Sequence, residues 1–382
     1  VSDELDRLLE ESLKSTGDAY ERQRSPQSRN EARQEFLTRY KRRRWQFPFA
    51  VAVAASGLAA IVAVGAYAIV DAPPDSLRRE RDTGIAGGDS PVVLFPIDGD
   101  PVDIGARDTG LWVADAADGE LARFDPATGD PVASIPVGLP SALSIGVGSV
   151  WVGDPTEGVL YQVNKKTNTI VDGPVDVGDP SPSMSISVGD FAVWVVVDGQ
   201  LKMVDLDTQE VTLVEGVEQP IDVAANLGMV WVLDGEEGLV RLDPTTGSRT
   251  AEPIPVRGFT GAVHAGAEGI WVADRGDDTI VSVEPDTGQT LAVAQVRGTY
   301  LDLGFDQSAV WVLSRAEGSS GYLTPLDLLT GAPLSDPLRL EGQPVDVATG
   351  AGSVWVALRE KGAVAKVDPI PLLEGSTPST TP

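Results

Sequence analysis

The 382-residue chain has no cysteine and one histidine, His264. Without thiols there is no disulfide framework and no thiolate metal site. A lone histidine is ordinarily a packed or rim residue rather than a catalytic base. Positive charge is scarce too: 29 Lys and Arg stand against 57 Asp and Glu, a formal balance of −28. Residues 1–45 hold 11 basic and 9 acidic side chains, which leaves 18 basic and 48 acidic for all the rest. So negative a surface repels phosphate backbones, and nucleic-acid binding is excluded as a function class.

One stretch lacks charge of either sign. From Trp45 to Val70 no side chain is ionisable in the ordinary range, and Phe47–Val70 is an apolar run of 24 residues. That exceeds the roughly 20 helical residues needed to cross a bilayer core. Arg39, Lys41, Arg42, Arg43 and Arg44 stand immediately before it. By the positive-inside rule they hold the N-terminal side in the cytoplasm and send the residues beyond Val70 outside. The run is longer than a signal-peptide core, so an uncleaved anchor is expected although Ala66-Tyr67-Ala68 has the form of a cleavage site. The expected organisation is a cytoplasmic juxtamembrane segment (1–45), a transmembrane helix (46–70), a flexible stalk (71–90), a folded domain (91–369) and a disordered tail (370–382). Leu5, Leu8, Leu9 and Leu13 recur at helical spacing in the first segment, so residues 1–44 are a candidate dock for a cytoplasmic partner.

What the chain does have is repetition. Trp-Val pairs begin at Trp112, Trp151, Trp194, Trp231, Trp271, Trp311 and Trp355, at intervals of 37 to 44 residues, and take seven of the eight tryptophans. Around each, an apolar stretch, a short turn, the Trp strand, an Asp/Gly turn and two more alternating segments recur. Blade four reads PIDVAANLG, MVWVLD, GEEGLVRLDP, TTGSRTAEPIPVRG. Period-two alternation broken by Gly, Pro and Asp marks short strands, and four strands about every 40 residues describe a propeller blade. The expected fold is all-β: a seven-bladed β-propeller with tryptophans between the blades. The last repeat lacks an outer strand, and Val92–Ile97 at the other end of the domain is the segment expected to supply it.

The segments GIWVADRGDDTIVSVEPDTG (Gly269–Gly288), GLWVADAADGELARFDPATG (Gly110–Gly129) and GSVWVALREKGAVAKVDP (Gly352–Pro369) resemble the bacterial YVTN/NHL-like and virginiamycin B lyase-like propeller repeats. The resemblance covers about three quarters of the chain and implies architecture more than activity, because one fold hosts binders, sensors and enzymes. Lyase relatives are expected to carry a histidine in a Pro-His-Gly opening of an inner strand; His264 lies instead in GAVHAGAEG. Quinoprotein relatives would show a tryptophan after the Asp-x-x-Thr-Gly turn, and none comes after Asp125–Gly129 or Asp243–Gly247.

Spacing points to two candidate sites. Asp103, Asp222, Asp302 and Asp346 recur two residues after the start of the inner strand, and could gather at a channel mouth that binds Ca²⁺. The competing use is structural, each short carboxylate capping nearby backbone amides. The second candidate is a patch on the face where inner strands begin. Arg257, Phe259, Arg297 and Tyr300 replace the usual proline openings, and Arg275, Arg315, Arg359 and Lys361 come after neighbouring Trp strands. Arginine with aromatics suits an anionic glycan, polymer or protein loop. The functional expectation is a membrane-tethered extracytoplasmic propeller that binds an envelope protein or glycan and is able to relay occupancy inward. The alternatives are an extracytoplasmic lyase or hydrolase using channel acids, and a scaffold of an envelope complex.

Overall fold

The computed structural model describes residues 91–373, apart from residues 98, 108–109, 227, 257–260, 267–268 and 275–277. The expected cytoplasmic segment, membrane helix and stalk lie outside the described residues. Among those described, no helix is long and apolar enough to cross a membrane.

The seven repeats form seven antiparallel sheets. Their inner strands are Pro101–Arg107, Ala142–Ile145, Met184–Val188, Pro220–Asn226, Val263–Ala265, Thr299–Phe305 and Pro344–Gly350. Each pairs with its Trp strand: Gly110–Asp115, Ser149–Asp154, Ala192–Val197, Met229–Asp234, Ile270–Asp274, Val310–Arg315 and Ser353–Leu358. We number these blades 1 to 7 in that order. The Trp strands are buried on both faces, which explains their near-continuous apolar runs such as AVWVVV.

Each tryptophan belongs to one blade and packs in the core of the next. Trp112 of blade 1 lies among Leu143, Val150, Val152 and Val163 of blade 2. Trp151, Trp194, Trp231, Trp271 and Trp311 repeat the arrangement one joint further on each time. Trp355 of blade 7 packs on Ile104, Leu111, Val113 and Phe124 of blade 1, which closes the ring. None of the seven indoles is more than 2% exposed. Opposite each Trp on the inner strand stands a residue of the same face: Gly105, Ser144, Ser187, Ala224, His264, Gly304 and Ala348. Six are small, because the next blade leaves little room. A Cβ on Gly105 would come within 2.7 Å of side-chain carbons of both Leu143 and Ile145 of blade 2.

The closing strand forms as expected. Val92–Pro96 pairs antiparallel with Ala363–Val367 as the outer strand of blade 7, from Val92 opposite Val367 to Pro96 opposite Ala363. Phe95 on this strand reaches the Trp355 ring at 5.7 Å between centroids.

Two expectations need correction. The fourth strand of blade 4 is reduced to isolated pairs, Leu239 with Ile254 and Leu242 with Arg249. Pro253 and Pro255 flank Ile254 and have no N–H to give to a ladder. The tail does not begin at 370 either. Ile370–Leu373 makes one helical turn, with Leu372 buried in the core shared by blades 6 and 7. Its apolar side chain gains more from burial than the Pro-rich pattern around it suggested. Residues 374–382 lie outside those described.

Truncation of Phe95 to Ala is expected to lower the unfolding free energy by about 3 kcal/mol or more, within the range for buried aromatics. Urea unfolding followed by tryptophan fluorescence measures it, and an unchanged midpoint would show that the closing strand contributes no packing.

Candidate functional site

The inner strands surround an axial channel with a cavity of about 1330 Å³, lined by residues from all seven blades. Four of those strands carry the recurrent aspartate, and in each the ladder slips by one residue just before it. The shifts fall between Pro101 and Asp103, Pro220 and Asp222, Tyr300 and Asp302, and Pro344 and Asp346. Such a bulge re-aims the next side chain. Each carboxylate thereby reaches an amide on the next inner strand. Asp103 accepts from Leu143 N–H at 2.7 Å, and Asp222 from Val263 at 2.8 Å. Asp302 accepts from Val347 at 3.3 Å, and Asp346 from Ile104 at 2.8 Å.

Serines do the same work where aspartate is missing. Ser144 accepts from Val188 N–H at 3.1 Å, and Ser187 from Ala225 at 2.8 Å. The joint between blades 5 and 6 is built differently. There the large exception to the small-residue rule, His264, places Nε2 3.0 Å from the Tyr300 hydroxyl and 3.6 Å from Asp302 Oδ1. Its ring also lies 6.0 Å from that of Phe305.

Burial in the channel wall raises several of its carboxyls. Burial pushes Asp103 up to about 6, against hydrogen bonds from Asp346 and the Leu143 amide. Asp346 is raised well above the ordinary carboxylate value, first by burial and then by the charges of Asp103 and Asp302. Asp222 is raised by burial, which His264 and a hydrogen bond from Ser185 partly offset. The sequence therefore located the four aspartates, and the structure brings three of them together. Asp346 is influenced by the charges of both Asp103 and Asp302, whereas Asp222 is influenced by His264. Among the described residues no group of three or more His, Asp and Glu has the arrangement of a metal site. With an oxygen of each aspartate on an amide, the calcium expectation gains no donor set.

Aspartates three residues after tryptophan have a separate role. Asp115, Asp154, Asp234 and Asp274 are buried beneath the loops at the end of the Trp strand. Asp234 accepts from the amides of Glu236 and Glu237 on one oxygen and of Glu218 and Gln219 on the other. Burial alone would raise it, but the four amides outweigh that and hold it below the ordinary value.

The basic patch is only partly described. Arg257, Phe259 and Arg275 lie outside the described residues. Arg297, Arg315 and Arg359 are exposed. They share the face where inner strands begin, since Thr299 pairs with Arg315 and the Arg359 amide bonds Gln343 O at 3.1 Å. Arg297 stacks over Tyr322 at 4.3 Å, and Arg359 pairs with Asp100 at 2.6 Å. Tyr300 does not belong to this surface, a correction to the expectation from spacing: it is 1% exposed. The bulge after it turns Asp302 toward blade 7, and its own hydroxyl meets His264 in the joint. Sequence spacing missed the His264–Tyr300 pair; its one visible signal was a large residue at the position opposite tryptophan.

Fold and site together define a seven-bladed β-propeller with a carboxyl-lined axial channel. No protein-family model matches the chain, and no curated protein matches it. Solved propellers do. The structure of U3-55K matches with a TM-score of 0.58 at 10% identity, over 72% of this chain and 98% of that one. The crystal structure of the RRP9 WD40 repeats matches at 0.58 and 11%, over 72% and 97%. The computationally designed Ika8 protein matches at 0.51 and 14%, over 72% and 98%. At such identities the likeness shows the fold alone.

Replacement of Asp234 by Ala strands four amides and is expected to cost about 2–3 kcal/mol at pH 7. Because its folded pKa is depressed, the wild-type contribution is present above the unfolded value and lost as pH falls through the folded one. The gap between wild type and D234A in denaturant titrations should therefore close in acid, and a gap that does not change with pH contradicts the clamp.

Proposed function

We propose that this chain is a membrane-tethered extracytoplasmic propeller, of the YVTN/NHL-like kind its repeats resemble, that binds an anionic partner in the cell envelope. The observation that carries this is the distribution of its few cations. Many described basic side chains are tied into the scaffold. Arg123 and Lys366 lie over the indoles of Trp112 and Trp355, and Arg241 lies over Trp231. Lys165 donates to Gly146 O, Arg249 pairs with Glu237, and Arg339 with Glu341. Arg297, Arg315 and Arg359 lie exposed on one face of adjacent blades 6 and 7, Arg297 over the Tyr322 ring and Arg359 paired with Asp100. In an acidic domain they form a local positive site, suited to carboxylate or phosphate groups on a polymer or protein loop. The apolar run Phe47–Val70 and the arginines before it support the tether and its orientation.

A second reading, an extracytoplasmic lyase or hydrolase, is favoured by one observation: a carboxyl held near 6 and an imidazole line the same channel. Turnover of envelope polymers that is lost in both D103N and H264Q would establish it over simple binding.

Two measurements test the binding proposal. Reversing charge in R297E/R315E/R359E should weaken retention on anionic envelope polymer at least tenfold, with the melting temperature little changed; undiminished retention refutes the patch. Protease added to intact protoplasts should digest the propeller and spare residues 1–45. A protected propeller would place it on the other side.

A further inference from the structure

The register of the closing strand fixes the end at which the chain enters the propeller. Val92 lies opposite Val367, and Val367 lies opposite Val354, next to the start of the blade 7 Trp strand. Gly350, where the inner strand ends, lies opposite Ser353. At this same end Pro91 O accepts from the Asp368 amide at 2.8 Å. The chain therefore arrives on the face where inner strands end. The face where they begin, with Arg297, Arg315 and Arg359, is the opposite one. Residues 71–90 join the entry face to the apolar run ending at Val70, a span of at most about 70 Å.

The entry face is acidic at the outer turn of every blade but one. The residue whose side chain caps the turn after the third strand is Asp125, Asp205, Asp243, Glu284, Asp327 or Asp368. In blade 2 it is Asn164. Its Oδ1 accepts from the Lys166 and Thr167 amides at 2.9 and 3.2 Å, much as Asp125 accepts from Ala127 and Thr128 at 2.7 and 3.1 Å. The cap needs an oxygen and not a charge, so turn chemistry does not account for the change of sign.

Three further cations gather round this turn. Lys165 donates to Gly146 O at 2.6 Å, beside Val147 at the tip of the neighbouring turn. Arg123 donates to Lys165 O at 2.8 Å, and a Cβ on Gly110 would lie 3.1 Å from its Nε. Gly110 stands opposite Arg107, which is exposed and lines the channel mouth together with Lys165. Val147 is 89% exposed, more than any other large hydrophobic residue among those described. Acids hold other parts of this face, exposed Asp190 of blade 3 among them, so the positive site is a sector and not a ring.

We propose that Arg107, Lys165 and Lys166, around the tip of Val147, dock blades 1 and 2 on anionic lipid headgroups of the bilayer that holds the tether. The face with the three arginines then points away from that bilayer, into the envelope. This rests on the tether proposed above. Cations close to an anionic surface are drawn to it, and an exposed valine gains by entering the headgroup boundary. The attraction is local. Screening over about 8 Å at physiological salt leaves carboxylates across the ring with little influence on the docked sector.

Because the chain has no cysteine, V147C supplies one labelling position on the entry face and A117C one on the opposite face. The full chain is assembled into nanodiscs of phosphatidylcholine, with or without phosphatidylglycerol at about one part in three, that carry a nitroxide-headgroup lipid. The fluorophore at position 147 should be quenched in anionic discs and much less in neutral ones, and that at position 117 in neither. R107Q/K166Q should lower the ratio of docked to undocked protein roughly thirtyfold without moving the melting temperature. Co-elution with neutral discs reads the tether by itself. Co-elution with both discs but equal quenching in them, or quenching indifferent to R107Q/K166Q, keeps the tether and overturns the docking. Co-elution with anionic discs alone, lost in R107Q/K166Q, overturns the tether and supports the docking; elution with neither overturns both. A V147C label that ignores anionic discs but responds to soluble polyglutamate assigns the sector to an acidic protein and overturns the lipid.

Discussion

Every joint of the ring is made by an indole that one blade contributes and the next blade buries. This is a directional arrangement, since Trp of blade n always enters the core of blade n + 1, and it repeats until Trp355 enters blade 1. Removing a buried aromatic of this size typically costs about 3–5 kcal/mol. A chain without cysteine thus closes a large ring by geometry: seven equal wedges leave no joint to open first on packing alone. The small residues opposite the tryptophans are the counterpart of this wedge. Gly105 and Gly304 leave space that any side chain would take from the neighbouring sheet.

Polar groups refine what packing establishes. Near the axis the inner strands meet side chain to main chain, through aspartates in four blades and serines in two. The bulges ahead of the aspartates are part of this device, because without the slip the carboxylates would keep the ordinary alternation of the strand. The exception is the joint between blades 5 and 6, where His264 and Tyr300 face each other. An imidazole there breaks the small-residue rule and brings the chain's one histidine next to the carboxyl cluster. The wall of the channel is therefore uneven, with serine hydroxyls on the inner strands of blades 2 and 3 and aspartate or histidine on the inner strands from blade 4 round to blade 1. Function placed in the channel would act on that second arc, whereas function placed on the loops falls to the arginines of blades 6 and 7.

Negative charge outside the channel has its own logic. The aspartates after the Trp strands, and those that open the outer turns, spend their oxygens on backbone amides. Asp125, Asp205, Asp243 and Asp327 each accept from two amides further along the same turn. Much of the acidity of this domain is thus turn chemistry repeated from blade to blade. The exposed remainder sets the field against which three neighbouring arginines stand out.

The number of blades, the Trp strands and the closing segment were legible in the amino-acid sequence, because each is set by period and by local alternation that survives in the linear chain. The apolar run Phe47–Val70 was equally legible, as a matter of length and charge. What the linear chain did not determine is which side chains meet across a joint. Asp103 and Asp346 are separated by almost the whole domain, and only ring closure brings their carboxyls together. Tyr300 reads as a surface aromatic beside Arg297, yet a bulge one residue later turns it into the core. The missing ladder of blade 4 and the buried Leu372 depended likewise on what the neighbouring sheet offered. Periodicity belongs to the strand and so is written in sequence. Contact belongs to the joint between two sheets, and exists only once both have packed.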